Sequence, residues 1–535
     1  MTLSPNINPV RQFIKERKIL SAGIIVLGLI SQLLTIIIPV SIGKYYELVF
    51  HFQSQRSKFL GFIPEGIWNT VPEFLLIFFI LIILRFIFYF LYQYNLFKES
   101  EIFIKEVKDQ LFDHQVHVDF STYKEKGTGK YLLRYSGDIN SLKNLYLKGS
   151  LSVLIDIFMV LSSFLLLFYL HSRGAIAIIV ISAIAFIAIR LVNRKVEKFS
   201  LNKRNKTSGQ LAFVNRTLNS ILSVILFNKQ NIELKKYKKK SNDIMQEAIE
   251  YDKWITINNG FISFVQYGIL AVIFFLFYYD NIGSEDKLLS ANLISFILLF
   301  ITIAPVLRRL FGLETVYKLG NISLNKLLNI LAIEKENLTE GETLDVKNPR
   351  LVFENFKIGN SEPLNYTSGK LGLNILPVPK TIEQISIITA VTRIQENYGG
   401  KIKINGIDIK QFSPHSIREN VGLVSKRLPL IGRTVYEAIT ESRIERQKPE
   451  VEKSLNEIQG VFPGISYFSL WDKIGENGSR LTDLQYELLC FIRGMLPNKR
   501  ILLMDNFVLL ESIYQDELNE ILNKQNATII KFVTQ

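Results

Sequence analysis

Residues 72–93 read PEFLLIFFILIILRFIFYFLYQ, a stretch of aliphatic and aromatic residues in which Glu73 and Arg85 are the charged positions. About 20 helical residues are needed to cross a hydrocarbon core of about 30 Å, so this stretch predicts a membrane-spanning helix. Five further runs of similar character occur near residues 20–41, 149–170, 174–193, 259–279 and 289–311. The sequence therefore predicts an α-helical membrane domain with six spans.

The composition of the whole chain sets limits on its class. Of 535 residues, 48% are hydrophobic and 21% are charged, and the mean hydropathy is +0.20. These values exclude an intrinsically disordered chain, a collagen-like chain and a small disulfide-rich scaffold. The single cysteine, Cys490, cannot form an intramolecular disulfide bond, so no oxidising compartment is required. We expect Cys490 to be a small buried side chain of a cytosolic domain.

The net charge of +14 is distributed unevenly between the loops. The loops at 94–148 and 194–258 are long and polar, and the second has five lysines between positions 235 and 240, whereas the short loop at 280–288 is acidic. Cytoplasmic loops carry an excess of lysine and arginine. We therefore predict a multi-pass protein of the plasma (inner) membrane, surrounded by the lipid bilayer, with both termini and the C-terminal domain in the cytoplasm. Topology explains the basic excess, so no nucleic-acid partner is predicted.

Both long loops have the periodicity of helices. Between Phe97 and His117, apolar residues recur at steps of three and four, and no proline interrupts them. Two antiparallel helices of about 30 residues within 194–258 would each reach about 45 Å beyond the membrane. We expect long helices that continue into the cytoplasm.

Two charged residues interrupt predicted spans. Arg85 and Asp156, counted along their helices, both lie on the order of 10 Å from the cytoplasmic boundary, so they could face each other. They are interpreted either as a buried ion pair or as polar contacts in a substrate cavity. Arg308 and Arg309 close the last span, where extension of their side chains toward the interface explains them.

The C-terminal part changes to short β-rich runs separated by turns. Residues 401–409 alternate around an Asn405-Gly406 turn, which is a strong hairpin signal. Apolar runs at 421–425, 501–505 and 528–534 are suited to buried strands. With helices between them, these strands predict an α/β domain of nucleotide-binding type.

In this order the segments resemble the ATP-binding-cassette (ABC) exporters, in the half-transporter arrangement of six spans followed by one cassette domain. Residues 119–129 and Asp138 are similar to the first intracellular coupling segment, and 220–229 to the second. Within these segments the matching positions are Ser121, Tyr123, Gly127 and Phe227. The cassette resemblance rests on 399–409, 416–424, 430–435 and 474–481. It implies a transmembrane domain at 1–330, a linker at 331–348 and a P-loop-like cassette at 349–535.

A phosphate-binding loop needs glycines, a lysine and a hydroxyl, so that backbone N–H groups can wrap the phosphates and a magnesium ion can be held. At the corresponding place this chain reads Pro377-Val-Pro-Lys-Thr-Ile-Glu-Gln-Ile-Ser386, with no glycine, two prolines and an added carboxylate at Glu383. Lys380 is a candidate for a phosphate contact or, alternatively, a solvated surface lysine.

The other catalytic positions that the resemblance implies are also altered. The glutamine-loop position is Lys426, and the signature pentapeptide appears as Leu481-Thr-Asp-Leu-Gln485. Asp505 matches the magnesium-associated aspartate, but Asn506 replaces the glutamate that polarises water, and an amide cannot take up a proton. Gln535 replaces the switch histidine, and Ile358 replaces the aromatic residue that stacks on adenine. Lys380, Thr482, Gln485 and Asp505 are retained as weak candidates for nucleotide binding, Asp505 also for magnesium.

We therefore expect ATP and magnesium to act only through a partner chain, and we expect this chain to be catalytically inactive. One hypothesis is an exporter subunit paired with an ATP-competent second half-transporter. The alternative is a homodimeric, non-hydrolytic pseudo-transporter that acts as regulator, sensor or passive pathway. A third is an ATPase that uses unusual residues, which would require Lys380 or Asp505. Lipid, peptide and drug substrates stay open.

Overall fold

The computed structural model describes residues 8–50, 70–120, 135, 137–281, 287–345, 347–369, 371–441, 448–496 and 499–534. The chain divides into a helical unit and a C-terminal unit, and the boundary between them along the sequence lies at Glu334 and Lys335. Residues 335–535 contain 25 basic and 25 acidic side chains, so the net charge of +14 belongs to the first 334 residues. The two units are described separately.

The described part of the helical unit consists of α-helices, several of them long. Its helices are α1 Pro9–Glu16, α2 Lys18–Phe50, α3 Val71–Val116, α4 Gly137–Gly149, α5 Leu151–Leu170, α6 Ser172–Asn219, α7 Ile221–Leu226, α8 Gln230–Asn281 and α9 Lys287–Leu331. Within the described residues, six helical segments are long and apolar enough to cross a membrane. Five of them contain a predicted span, and the sixth, Leu293–Leu331, overlaps the predicted span 289–311. The prediction of six membrane-spanning helices is confirmed.

Several of these helices are much longer than a bilayer requires. Helices α3, α6 and α8 contain 46, 48 and 52 residues, against about 20 for a span. Polar contacts join the hydrophilic parts of α6 and α8, where Glu247 accepts hydrogen bonds from Lys206 at 2.8 Å and Asn202 at 3.2 Å. The predicted helical continuation of 97–117 and the helix pair in 194–258 are both confirmed.

The N-terminal helix α1 is fixed to the helical unit by an aromatic cluster and an arginine. Phe13 is 1% exposed and packs edge-on against Tyr146 and at an angle against Phe103. Arg17, just after α1, forms ion pairs with Glu99 and Glu106 of α3 at 3.2 and 3.1 Å. The amphipathic first helix is therefore an integral part of the helical core.

Within its described residues, the C-terminal unit contains two four-stranded sheets. Its strands are β1 Leu351–Lys357, β2 Leu364–Thr367, β3 Gly372–Val378, β4 Gly399–Ile404, β5 Ile407–Asp408, β6 Val421–Val424, β7 Ile501–Met504 and β8 Thr528–Thr534. One sheet is antiparallel, in the order β2-β1-β4-β5, and the other is parallel, in the order β3-β8-β7-β6. The helices are α10 Gln384–Val391, α11 Pro414–Asn420, α12 Val435–Thr440, α13 Lys448–Gln459, α14 Asp483–Met495, α15 Val508–Ile513 and α16 Gln515–Asn523.

The strand predictions for this unit are confirmed. Strands β4 and β5 form the predicted hairpin, and its turn residues Asn405 and Gly406 have φ of 51° and 88°, as a turn with two left-handed residues requires. The apolar runs predicted as buried strands are β6, β7 and β8. Every residue of β7 is buried, because helices cover both faces of a parallel sheet.

Part of the segment expected as a linker is fastened to the C-terminal unit. Leu344 is 5% exposed and belongs to the core under β1 and β4. Arg418 of α11 forms a two-fold hydrogen-bonded ion pair with Glu336. The backbone N–H of Leu344 also donates to Ser416 Oγ at 2.6 Å.

Candidate functional site

The candidate site lies along one edge of the parallel sheet. Because β3, β6, β7 and β8 run parallel, their carboxyl ends meet at the same edge. The loop 379–383 follows β3, the segment 425–429 follows β6 and Asp505 follows β7. The structure therefore brings Lys380, Lys426, Asp505 and Asn506 to one edge, while Gln535 lies outside the described residues.

The loop after β3 does not have the form of a phosphate cradle. Pro377 and Val378, expected in this loop, instead belong to β3, which leaves five residues, 379–383, before α10. Ile382 is 5% exposed and inserts into the core, and its N–H donates to the carbonyl of Pro379 at 2.9 Å. No residue from 379 to 386 has a positive φ, and Lys380 is exposed. A glycine-rich phosphate loop spans eight residues and wraps its ligand with backbone N–H groups.

Asp505 is buried and accepts hydrogen bonds from three groups of this chain. Its Oδ2 accepts hydrogen bonds from Ser425 Oγ at 3.0 Å and from Arg427 Nε at 2.7 Å, and its Oδ1 accepts from the Asn506 N–H at 3.0 Å. The Arg427 Nη2 donates to Gln384 Oε1 at 2.8 Å. Arg427 therefore joins the end of β7 to the first residue of α10.

Lys426 is paired with a second buried carboxylate. Its Nζ lies 2.7 Å from Glu487 Oε1, and the Glu487 side chain is 3% exposed. The other oxygen, Oε2, accepts the N–H groups of Leu509 and Leu510 at 3.1 Å, in the first turn of α15. A carboxylate at a helix N-terminus is stabilised by these unpaired N–H groups. Lys426 therefore serves to anchor α14 and α15.

Asn506 faces a third carboxylate, that of Glu511. With its amide nitrogen toward the carboxylate, Asn506 donates to Glu511 Oε2 at 3.0 Å. Glu511 also accepts the N–H of Phe507 at 3.1 Å and pairs with Lys531 of β8 at 2.9 Å. Glu511 is thus bound by Lys531, by the Phe507 N–H and by Asn506.

The segment 425–429, which follows β6, is also held in place by a buried arginine. Arg493 of α14 is 5% exposed, and its guanidinium donates to the carbonyls of Ser425, Leu428 and Pro429 at 2.8, 3.2 and 2.9 Å. Arg427, Glu487, Arg493 and Lys531 were not predicted from the sequence as members of this site. A run of two basic residues at the glutamine-loop position was the available signal for Arg427.

The signature-like residues have a structural role in the described chain. Thr482 is the N-cap of α14, its Oγ1 accepts the Gln485 N–H at 3.3 Å, and Gln485 Oε1 accepts the Thr482 N–H at 3.0 Å. This reciprocal capping box satisfies two backbone donors of the helix end. Ile358, at the adenine-stacking position, packs against the core of the antiparallel sheet. Cys490 is 0% exposed, as expected.

The residues at this edge do not fit a magnesium-bound nucleotide. The loop after β3 offers no glycine cradle, the guanidinium of Arg427 is bound to Asp505, and each carboxylate of the set has its own basic partner. Within the part of the chain that the structure describes, no three His, Cys, Asp or Glu side chains are grouped so that they could hold a metal ion. The acidic and basic side chains at this edge therefore neutralise each other's charge.

The expected pairing of Arg85 with Asp156 is wrong. Asp156 binds Arg309, with Oδ1 to Nη2 at 2.6 Å and Oδ2 to Nε at 3.0 Å, whereas Arg85 is exposed and donates to Thr35 Oγ1 at 3.0 Å. Counting residues along a helix gives the depth of a side chain in the membrane but not the direction in which the side chain points. Only 6% of the residues in the most apolar part of α3 are buried, and Arg85 is among the exposed ones. Arg85 therefore points away from the core that contains Asp156.

A second polar cluster, not noticed in the sequence, lies at the turn between α5 and α6. His171 caps α6, because its Nδ1 accepts the Gly174 N–H at 2.9 Å. Its Nε2 therefore carries the proton and donates to Asp280 Oδ2 at 2.8 Å, and Arg173 also contacts Asp280. The imidazole stacks on Phe277 with ring centroids 4.1 Å apart. This cluster ties the α5–α6 turn to the end of α8.

The coupling segments are described only in part. Helix α7 and its C-cap Phe227 form the connection between α6 and α8, and Leu222, Leu226 and Phe227 are exposed. The matched positions Ser121, Tyr123 and Gly127 lie outside the described residues. Helix α7 lies within 220–229, the stretch that resembles the second coupling segment.

Comparisons with known proteins place these features in context. Residues 21–306 match the family described as the ABC transporter transmembrane region. The ATP-dependent lipid A-core flippase of Pectobacterium atrosepticum is 24% identical over 415 residues, which cover 75% of this chain and 70% of that protein. The ATP-dependent lipid A-core flippase of Escherichia coli K12 is 22% identical over 416 residues, with the same coverages of 75% and 70%. A solved bacterial Atm1-family ABC exporter with ATP bound gives a TM-score of 0.77 at 14% identity, over 98% of this chain and 91% of that one.

Proposed function

The chain belongs to the ABC transporter transmembrane region family, and from this premise we propose that it is an exporter subunit whose own cassette does not hydrolyse ATP. In this proposal a second half-transporter with an intact phosphate loop supplies ATP hydrolysis. The chain is a multi-pass membrane protein with the ABC exporter fold, a six-helix transmembrane domain followed by an α/β domain.

The main support for this proposal is the form of the loop between β3 and α10. It has five residues, contains no glycine, begins with Pro379 and places Ile382 in the core. Phosphate binding by backbone N–H groups needs a longer loop with glycines where side chains would block the ligand. Hydrolysis also needs a group that orients water, and Asn506 at that position is an amide bound to Glu511.

A partner chain follows from the composite nature of the sites that the resemblance implies. There, the phosphate loop of one subunit faces the signature of the other. A partner's phosphate loop would meet Leu481–Gln485 of this chain, where Thr482 and Gln485 cap α14. The partner would therefore bind most of the nucleotide through its own residues, and this chain would supply half of the transmembrane pathway.

The proposed substrate is an amphipathic lipid. The support is that the relatives from Pectobacterium atrosepticum and Escherichia coli are ATP-dependent lipid A-core flippases. The apolar surfaces of the spans are compatible with lipid and with peptide substrates, and an activity measurement distinguishes the two. Stimulation of the ATPase activity of the assembled complex by lipids with large polar headgroups, and not by peptides, is the expected result.

The first test identifies the partner. The chain carries an N-terminal tag, is extracted from native membranes in mild detergent, and stoichiometric partners are identified by mass spectrometry. We expect a second half-transporter with an intact phosphate loop. Self-association alone would contradict the partner and support the homodimeric pseudo-transporter instead.

The second test measures ATP hydrolysis by the purified complex. Replacing the phosphate-loop lysine of the partner by methionine should abolish hydrolysis, whereas Lys380→Met in this chain should change the rate less than about twofold, because Lys380 is exposed outside any cradle. Asn506→Glu should not raise the rate, because the loop after β3 is unchanged. A large loss in Lys380→Met would refute the proposed inactivity of this cassette.

A further inference from the structure

We propose that Arg427 is a built-in replacement for the divalent metal ion at Asp505, and that it holds the cassette in one state that is independent of nucleotide. This inference rests on the proposed function, because a cassette that hydrolyses ATP would need Asp505 for magnesium. It goes further by naming the group that takes the place of the metal and the elements that this group joins.

The position of the guanidinium is the first argument. In nucleotide-binding folds of this class, magnesium is held between a hydroxyl at the start of the helix after the phosphate loop and the aspartate at the end of a neighbouring strand. Arg427 joins the same two elements, through Gln384 at the first position of α10 and Asp505 after β7. The bond lengths of 2.8 and 2.7 Å are those of full hydrogen bonds.

The state of the Asp505 carboxylate is the second argument. A carboxylate offers about four lone-pair positions, and three donors already occupy three of them: Ser425 Oγ, Arg427 Nε and the Asn506 N–H. Asp505 is 2% exposed, so a metal ion would find at most the one remaining position, and binding through more of the carboxylate would require it to displace a donor. A dication would also meet the positive guanidinium at 2.7 Å from the same oxygen, which opposes its binding.

The surroundings of Arg427 are the third argument. Lys426 is anchored to Glu487, and Arg493 holds the carbonyls of Ser425, Leu428 and Pro429. The backbone N–H of Arg427 itself donates to Ser425 Oγ at 3.1 Å. The residues on both sides of Arg427 are therefore fixed by groups of this chain, and these contacts hold the guanidinium against Asp505.

The test compares four variants of the full chain in detergent. Arg427→Met leaves a buried, uncompensated carboxylate, so the half-denaturation temperature should fall by about 5 to 10 °C. Deuterium uptake should rise in 379–391 and 425–429. The matched control Arg433→Met removes an exposed arginine six residues away and should change the temperature by about 1 °C at most.

Two further variants separate metal replacement from simple packing. Asp505→Asn keeps the shape of the site and leaves a partly exposed guanidinium, so its effect should be less than half that of Arg427→Met. The double variant Arg427→Met with Asp505→Asn should recover most of the loss, because no unpaired carboxylate remains. If Arg427→Met cannot be recovered as folded protein, Arg427→Lys should give an intermediate loss, since an ammonium cannot reproduce both bonds.

The metal readout decides the inference. In the wild-type chain, millimolar Mg²⁺, alone or with ATP, should change neither the half-denaturation temperature nor deuterium uptake near Asp505. Stabilisation of the wild type by Mg²⁺, equal effects of Arg427→Met and Arg433→Met, or a double variant no better than Arg427→Met would overturn it. Hydrolysis of ATP that depends on Asp505 would refute the proposed function as well, whereas stabilisation by Mg²⁺ without hydrolysis refutes only this inference.

Discussion

At the scale of single residues, the chain repeatedly places a buried carboxylate against a more exposed cation. Asp505 and Glu487 are 3% exposed, whereas their partners Arg427 and Lys426 are 43% and 38% exposed. The cation can be rehydrated when its partner is lost, but the carboxylate cannot. Loss of the basic member should therefore cost more than loss of the acidic member.

The ion pair between Asp156 and Arg309 tests this asymmetry in the helical unit. The Asp156 side chain is 10% exposed and that of Arg309 is 51% exposed. Arg309→Met should destabilise the chain by about 3 to 5 kcal/mol, whereas Asp156→Asn should cost about 1 kcal/mol. Half-denaturation temperatures in detergent check this, with Arg308→Met as the control. Equal losses in the two variants would show that the pair is not asymmetric.

Cys490 gives a second prediction at this scale. Burial raises the pKa of the Cys490 thiol to about 11, from 9.0 for a free cysteine. A maleimide reagent should therefore leave the folded chain unlabelled at pH 7 to 8 and should label it after denaturation. Because the folded-state pKa is the higher one, the stability that this thiol contributes is complete below about pH 9 and is lost as the pH rises toward 11. Cys490→Ala should weaken that alkaline loss of stability, and rapid labelling of the native chain would contradict the prediction.

At the scale of elements, the ends of helices and strands decide where polar groups lie. Asp505, Lys426 and Lys380 lie at one edge because each follows a strand of a parallel sheet. Two of these strands, β6 and β7, were predicted from local sequence as apolar runs. The partners of these residues could not be predicted, because Arg427 and Gln384 are 43 residues apart and Lys426 and Glu487 are 61 apart. Likewise, Asp156 and Arg309 are 153 residues apart, and only packing defines which faces meet.

The capping box of α14 yields a prediction at this scale. Thr482→Ala removes the acceptor for the Gln485 N–H and should lower the stability of the cassette by about 1 kcal/mol. Thr482→Ser keeps the cap and should be close to wild type. ATP hydrolysis by the assembled complex should change little in either variant when measured below their denaturation temperatures. A large and selective loss of hydrolysis in Thr482→Ala would instead assign Thr482 to the nucleotide.

At the scale of the whole molecule, α7 is an exposed apolar tip between two long helices. Phe227→Asp should leave the helical unit folded, because Phe227 is 69% exposed, and should reduce association with the partner and the transport activity. Lys239→Glu, a charge reversal on the nearby exposed lysine cluster, should have little effect on folding. Size-exclusion chromatography and partner recovery check both variants. Intact assembly of the Phe227→Asp variant would count against the placement of the second coupling segment at α7.

The length of α6 and α8 has a mechanical consequence. Helices of 48 and 52 residues at 1.5 Å per residue form rods about 70 to 80 Å long, and their mutual packing and the Glu247 contacts stiffen them as a pair. If such a rod pivots by about 5° at one end, the other end moves by about 6 Å, which is one helical turn. A small rearrangement at α7 would thus be amplified into a displacement large enough to change the gap between neighbouring spans. The helix pair converts a small rotation into a larger displacement of its far end. The size of that displacement depends on the length of the helices rather than on any chemistry performed by this chain.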